Sequence, residues 1–371
     1  MKNIIDLFSG VGGLSLGATH ANLNLVGAVE LDKEAIAMHQ LNFPDVKHLK
    51  EDVSILKGKD LLQKFNQNEL FGLIGGPPCQ GFSAMGKQDI NDPRNQLFIH
   101  FFRLVKEIQP VFFLAENVRG ILHPKFSPIL KSAFQEVSGN YHLFNPIELN
   151  ARDLGVPTSR PRVFFIGIRK DIKHSLKEEQ LISLKKEKVT VAQAFQGLEF
   201  DDLFMGDSRN KNQCWTPLNE IESNSYAERI SLMSHNIIGN EESKNKYFHE
   251  QQVTGMIGTK HTPNVIDRFS ILSPGQTDKT SRSMKLDPNG FCPTLRAGTT
   301  SEKGSFQAVR PIHPFYNRVI SPREAARIQG FPDWFLFHPT KWHSFKQIGN
   351  SVSPIMASAI FETIIKNLEV Q

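Results

Sequence analysis

Cysteine is scarce in this chain, with three among 371 residues, at Cys79, Cys214 and Cys292. They are widely separated, odd in number and never spaced as C-x-x-C, which argues against both a disulfide framework and a zinc centre. No apolar run approaches the ~18 uninterrupted residues of a membrane-spanning helix. The opening MKNIIDLFSG enters a strand-like segment at once, leaving no room for a secretory leader. Repeats and low-complexity tracts are also missing. So is a strong charge of either sign: the formal net charge is +5 and the isoelectric point lies near 9.0, a mild bias toward an anionic partner. What remains is an ordinary globular composition, 39% hydrophobic and 22% charged, on a length that suits about two domains. The expected location is the cytoplasm, without membrane or metal.

The first half alternates short apolar runs with helical patterns. NIIDLF, LVGAVE, LFGLIGG, VFFLAEN and VFFIGI read as buried strands bounded by Gly, Pro, Asp or Asn. Between them, GLSLGATHANL, KEAIAMHQLNF and NQLFIHFFRLVKEIQP read as helices. In the last of these Leu97, Phe101, Leu104, Val105 and Ile108 share one face, and Pro110 ends it. This alternation predicts an α/β fold, a doubly wound and mostly parallel sheet, with ligands outside the carboxyl ends of the strands. The pattern decays after residue 170. A charge-dense stretch, RKDIKHSLKEEQLISLKKEK, reads as a solvated helix or linker. Beyond it a polar, irregular region runs to about residue 310, with strand candidates such as NVIDRFSIL. Order returns with SPREAARIQGF, whose Ser321 and Glu324 form a capping-box pattern, and with the apolar helix SPIMASAIFETIIKNLEV.

Chemistry-bearing residues fall where such a sheet would put them. DLFSGVGGLSLG places a glycine-rich turn after the first strand. Gly10 and Gly12 fit a dinucleotide fingerprint, but its third position is Ser15. Glu30 ends the second strand, where a carboxylate can accept both hydroxyls of a ribose. Asp52 follows the third and could accept from an adenine amino group. Three such features favour an adenosine-bearing cofactor, and the incomplete pyrophosphate fingerprint favours S-adenosylmethionine over NAD. Cys79 follows the fourth strand in GLIGGPPCQGFSAMG, and Glu116 follows the fifth in AENV. Adjacent parallel strands would bring thiol and carboxyl to one sheet edge, beside the methyl donor.

These residues and their order closely resemble the DNA (cytosine-5) methyltransferases of bacterial restriction–modification systems. Six blocks carry the likeness: DLFSGVGG, GGPPCQGFS, ENV, GVPTSRPRVFFIG, SPREAARIQGFP and QIGNSVSP. The resemblance implies a Rossmann-like methyltransferase fold with a smaller, irregular, β-rich target recognition domain. It implies four catalytic residues: Cys79 as the nucleophile at cytosine C6, Glu116 at N3 and the exocyclic amine, and the pair Arg160 and Arg162, the latter near O2. It also implies a cofactor pocket built from Phe8, Ser9, Gly10, Gly12, Gly13, Glu30, Leu31, Asp52, Val53, Pro78, Leu97, Asn350 and Ser351. S-adenosyl-L-homocysteine would be the product.

For DNA, the same likeness assigns a mobile loop from Ser83 to about Gln96, with Met85 at its tip and Ser83, Lys87 and Arg94 as contacts. Thr294 and Arg296, in CPTLRAG, are the candidate recognition residues. The implied organisation is a catalytic domain over residues 1–185, a target recognition domain and hinge over 186–345, and a returning segment over 346–371. The partner would be double-stranded DNA and the enzyme a monomer. Thr158 stands where the family often has Gln, and Ser353 where it often has Pro. A tRNA-directed member of the family is the alternative reading. A NAD-dependent dehydrogenase is disfavoured by Ser15 and the Pro-Cys block, and an inactive relative by the intact Cys79–Glu116–Arg162 set.

Overall fold

The computed structural model describes residues 2–78, 81–82, 92–200, 203, 205, 214–298 and 310–369. Its first part is built in the expected alternation: β1 (Asn3–Leu7), α1 (Gly13–His20), β2 (Asn24–Val29), α2 (Lys33–Asn42), β3 (Lys47–Leu49), α3 (Gly58–Lys64), β4 (Gly72–Gly75), α4 (Gln96–Ile108), β5 (Phe112–Asn117), α5 (Ser127–Val137), β6 (Tyr141–Leu143), β7 (Ile147–Asn150), β8 (Thr158–Ser159) and β9 (Pro161–Arg169). Eight strands form one sheet in the order β3-β2-β1-β4-β5-β9-β6, with β7 also pairing β9. The five strands from β3 to β5 run parallel, whereas β9 is antiparallel to β5, β6 and β7. The order reverses between β1 and β4, so the loops leaving those strands diverge and open a crevice at their carboxyl ends.

Burial explains the strand sequences. Every residue of β4 and β5 is buried, as befits the middle of a sheet covered on both faces. On one side α4 lays down a phenylalanine-rich stripe, with Phe98 against Phe165 and Phe101 and Phe102 against Phe113. Leu97 departs from the expected core face of α4: it is only partly buried and turns toward the crevice.

Ser15 has a specific task. Its hydroxyl donates to Asp6 (2.6 Å) and also meets His39 Nε2 (3.0 Å), whose Nδ1 lies 2.8 Å from His48. A glycine here could not join β1, α1 and α2 in this way. Burial pushes the Asp6 carboxyl up to about 7; the Ser15 hydrogen bond opposes this, while the charge of Glu30 adds to it. The folded protein therefore holds a proton on Asp6 that the unfolded chain releases near pH 4. That contribution to stability is full below pH 4 and is lost as pH rises toward 7. Asp6→Asn carries no charge at any pH, so its melting temperature relative to the wild type should rise between pH 5 and pH 8. A pH-independent difference would contradict this account of Asp6.

The remainder is α6 (Glu178–Ile182), α7 (Val191–Phe195), β10 (Trp215–Pro217), α8 (Tyr226–Ser231), α9 (Glu241–Phe248), β11 (Gln252–Thr254), α10 (Pro263–Ser270), β12 (Cys292–Pro293), α11 (Pro322–Gln329), α12 (Lys341–Asn350) and α13 (Pro354–Lys366). The charge-dense stretch is mostly linker around the short α6. The region from 186 to 312 is irregular, as expected, but among its described residues short helices take up more of the chain than the three short strands do. NVIDRFSIL is one correction, since it falls largely in α10. Pro263 sits in that helix's first turn, and Val265, Phe269 and Leu272 form an i, i+4, i+7 stripe against Ile312 and Val319. The capping box at Ser321 forms as read, and Gly330 closes α11 in a left-handed conformation. The stretch Lys341–Lys366 is long and apolar enough to cross a membrane, but it breaks into α12 and α13, and 67% of its most apolar window is buried inside the protein. α13 packs back on α1.

Candidate active site

A cavity of about 530 Å³ opens at the carboxyl ends of β1 to β5. That is within the few hundred to about 1,000 Å³ typical of small-molecule sites. Each strand sends its following loop into the wall: Phe8 to Gly10 after β1, Glu30 and Leu31 after β2, Asp52 and Val53 after β3, Pro77 and Pro78 after β4, and Glu116 at the end of β5. Gly13 and Leu97 contribute from α1 and α4, Arg162 from β9, and Asn350 and Ser351 from the end of α12.

Gly12 does not belong to this wall. With φ at +105° it caps α1, and a Cβ there would lie 2.4 Å from the Phe43 ring. Its lack of a side chain serves close packing on α2 rather than the cavity.

Glu30 is held from two sides. Oε2 accepts from Gly10 N (2.9 Å) and Oε1 from Asp32 N (2.8 Å). Burial raises its pKa, and these backbone donors oppose the rise without cancelling it. Asp52 accepts from Ser54 N (2.8 Å). Leu31 is 58% exposed at the rim, an apolar surface with no protein neighbour to cover it fully. Carboxylates spaced around apolar walls suit a group with a hydroxylated sugar and a flat base.

At the other end of the cavity lies an ion pair. Arg162 Nε is 2.7 Å from Glu116 Oε1, both side chains being about nine-tenths buried. Burial raises the Glu116 pKa, while Arg162 and then Arg160 pull it back only in part. The other oxygen, Oε2, lies over Gly76, where a Cβ would come within 3.2 Å of it. Glycine at position 76 therefore keeps the approach to Oε2 open. Asn117 Nδ2 donates to Pro77 O (3.3 Å), tying the β5 end to the loop that carries the cysteine. Cys79 itself, with Ser83, Met85 and Lys87, lies outside the described residues. Arg94 reaches the cavity wall and pairs with Asp92 (2.5 Å).

Arg160, which the resemblance groups with the catalytic residues, is held apart from the cavity. It is 1% exposed and does not line the cavity; its guanidinium donates to Leu295 O (3.2 Å), Gly349 O (2.7 Å) and Ser351 O (2.8 Å). Two residues before it, Thr158 donates to Cys292 O (3.0 Å), within the parallel pairing of β8 and β12. The hydroxyl that stands where the family often has Gln thus joins two chain segments. Thr294 is similarly committed, donating to Ser159 O (2.7 Å), while Arg296 is exposed. Cys292 is buried, which drives its thiol far up, away from reactivity.

Sequence reasoning missed several wall residues. Lys346 pairs with Asp32 (2.5 Å), and Gln347 donates to Glu34 O (2.9 Å). Both stand one turn before Asn350 and Ser351 on α12, so helical spacing from QIGNS pointed to them.

The family model for C-5 cytosine-specific DNA methylase matches residues 2–366. The Type II methyltransferase M.XorII of Xanthomonas oryzae pv. oryzae is 38% identical over 379 residues, covering 98% of this chain and 84% of the relative. M.DdeI of Desulfomicrobium norvegicum is 34% identical over 399 residues, covering 98% and 88%. Among solved structures, a prophage-encoded DNA modification methyltransferase (E. coli) superposes with a TM-score of 0.89 at 46% identity, covering 99% of both chains. The Dnmt2 methyltransferase of S. pombe, 16% identical over 99% of both chains, shares the fold with a TM-score of 0.62. A family match over nearly the whole length, on a sheet whose strand ends gather these carboxylates and this arginine, places the chain among the C-5 cytosine-specific DNA methylases.

Proposed function

We propose that the protein transfers a methyl group from S-adenosylmethionine to C5 of a cytosine flipped out of double-stranded DNA, as the modifying partner of a restriction–modification system. The observation that carries this reading is the buried Glu116–Arg162 pair, set in the same cavity as Glu30 and Asp52 and one strand from the loop bearing Cys79. In this reading residues 1–185 form the catalytic domain, 186–345 the target recognition domain and hinge, and 346–371 the returning segment. The enzyme works as a cytoplasmic monomer bound to the nucleoid.

The cofactor supplies an electrophilic methyl group on a sulfonium sulfur. Glu30 would accept its ribose hydroxyls and Asp52 its adenine amine, with Leu31, Val53 and Leu97 as apolar cover. C5 of cytosine is a weak nucleophile inside an aromatic ring. Addition of the Cys79 thiolate to C6 removes that aromaticity and drives negative charge toward N3. Glu116, whose pKa burial raises, can hold a proton where that charge develops, and Arg162 fixes its carboxyl in place. Once C5 carries the methyl group, loss of the C5 proton expels the thiolate. A stacked base cannot reach these residues, so flipping costs a few kcal/mol.

Two experiments bear on this reading. Bisulfite sequencing of DNA from cells expressing the protein should reveal one methylated motif; unmethylated DNA with labelled tRNA would instead support the tRNA reading. Calorimetric titration should show Glu30→Ala weakening S-adenosylmethionine binding by about 1.5–3 kcal/mol, the range for hydrogen bonds to a charged group. Unchanged affinity would move the ribose site elsewhere.

A further inference from the structure

Arg160 stands outside the cavity yet joins two segments that meet nowhere in the sequence. Its Nη1 holds Leu295 O, between Thr294 and Arg296; its Nη2 holds the carbonyls of Gly349 and Ser351, on either side of Asn350. The contact between these segments is tight. A Cβ on Gly349 would lie 2.6 Å from Ala297 N and 2.7 Å from the Arg296 carbonyl carbon, so backbone rests on backbone. The turn is further fixed by Gln329, which donates to Ser351 O (2.8 Å), and the loop by Thr294 on Ser159. Residues 349–351 are cavity wall. Movement in that wall therefore has a direct mechanical route to the backbone of Leu295–Ala297.

We propose that Arg160 is a positioning residue that couples cofactor occupancy to the order of the 292–298 segment, so that filling the cavity sets the candidate recognition residues Thr294 and Arg296 for DNA. The inference rests on the cofactor and recognition roles proposed above. Coupling of this kind is carried by a contiguous packed and hydrogen-bonded path, here one guanidinium and one backbone contact long. It is reciprocal for binding free energies.

Amide hydrogen exchange of the full-length protein, with and without saturating S-adenosyl-L-homocysteine and without DNA, tests it. Calorimetry on each variant verifies saturation. In the wild type, peptides covering residues 292–298 should slow by about fivefold or more on ligand binding, the lower end of ordinary coupling energies. In Arg160→Met, ligand should still bind, but the slowing should fall below about twofold. Arg160→Lys should recover part of it. Should Arg160→Met fail to fold, Gly349→Ala attacks the same contact from the other side and should likewise uncouple 292–298 in the ligand-saturated protein. A merely structural Arg160 would raise exchange equally with and without ligand, leaving the ratio unchanged, and that result overturns the proposal. So does wild-type exchange in 292–298 that ligand leaves untouched. Absence of ligand binding to the wild type would instead overturn the cofactor reading itself.

Discussion

Cys79→Ser is expected to abolish methyl transfer, by at least about a thousandfold, because a hydroxyl is a far weaker nucleophile than a thiolate at neutral pH. A free thiol titrates near pH 8.5, so the cysteine gains from any neighbour that favours its ionised form. Cys214→Ser and Cys292→Ser should keep most activity: Cys292 is buried with its thiol held protonated, and Cys214 lies far from the cavity wall in sequence. DNA carrying 5-fluorocytosine sharpens the test. Fluorine cannot leave C5 as a proton does, so wild-type protein should be trapped on that DNA in a denaturation-resistant complex. Such a complex formed by Cys79→Ser would show that another group adds to C6. Glu116→Gln should be the second most damaging change in this site, with the loss in turnover rather than in cofactor affinity.

The other large effect concerns folding. Asp333 is 1% exposed and Arg327 fully buried; Asp333 accepts from Arg327 Nε (2.9 and 3.0 Å) and Nη2 (2.5 Å), with Arg323 Nη1 3.9 Å away. The remaining donors of both arginines go to backbone, apart from Arg323 Nη2, which also donates to the Thr254 hydroxyl (3.1 Å). Arg323 bonds Thr254 O, Pro332 O and Phe335 O, and Arg327 reaches Ala194 O. One carboxylate thus balances two buried guanidinium groups where α11 meets the chain from the irregular region. Asp333→Asn should cost about 3–5 kcal/mol, the penalty for stranding buried charge. Urea denaturation followed by circular dichroism measures it. A loss below about 1 kcal/mol would mean that water or rearrangement reaches the arginines. Arg327→Met combined with Asp333→Leu should recover only part of the loss, since Arg327 leaves with its carboxylate while Arg323 stays buried.

In SPREAARIQGF the helix start and the partners of its arginines rest on different information. Its capping box was legible from Ser321 and Glu324 alone, because the spacing of an N-cap is a local property. The partners were not: Thr254 and Ala194 come from distant parts of the chain, and Asp333, though six residues after Arg327, lies beyond the turn that ends α11.

The sequence by itself determined the alternating α/β order, the positions of the strand ends, and hence the carboxylates at Glu30, Asp52 and Glu116. Strand runs and turn residues are short-range signals, and a parallel sheet converts their order into a gathered edge. Only the tertiary structure decided which of two neighbouring arginines faces the cavity. Arg160 and Arg162 both lie beside or within β9 and share a sequence parity, so alternation alone would treat them alike. β9 begins between them, at Pro161, with β8 on the other side. Arg162 is thereby inside β9, opposite Leu149 of β7, with its side chain on Glu116, while Arg160 precedes the strand and sinks toward Leu295 and Gly349. Gly12 divides from Gly10 in the same way, by packing on Phe43 rather than by any feature of its own turn. The helix at Pro263–Ser270 took its conformation from a proline in its first turn and a stripe that rests on Ile312 and Val319, a bridge-paired stretch about forty residues or more away. A pattern of spacing names the residues that can act; long-range packing, which spacing does not encode, settles which of them reach the site.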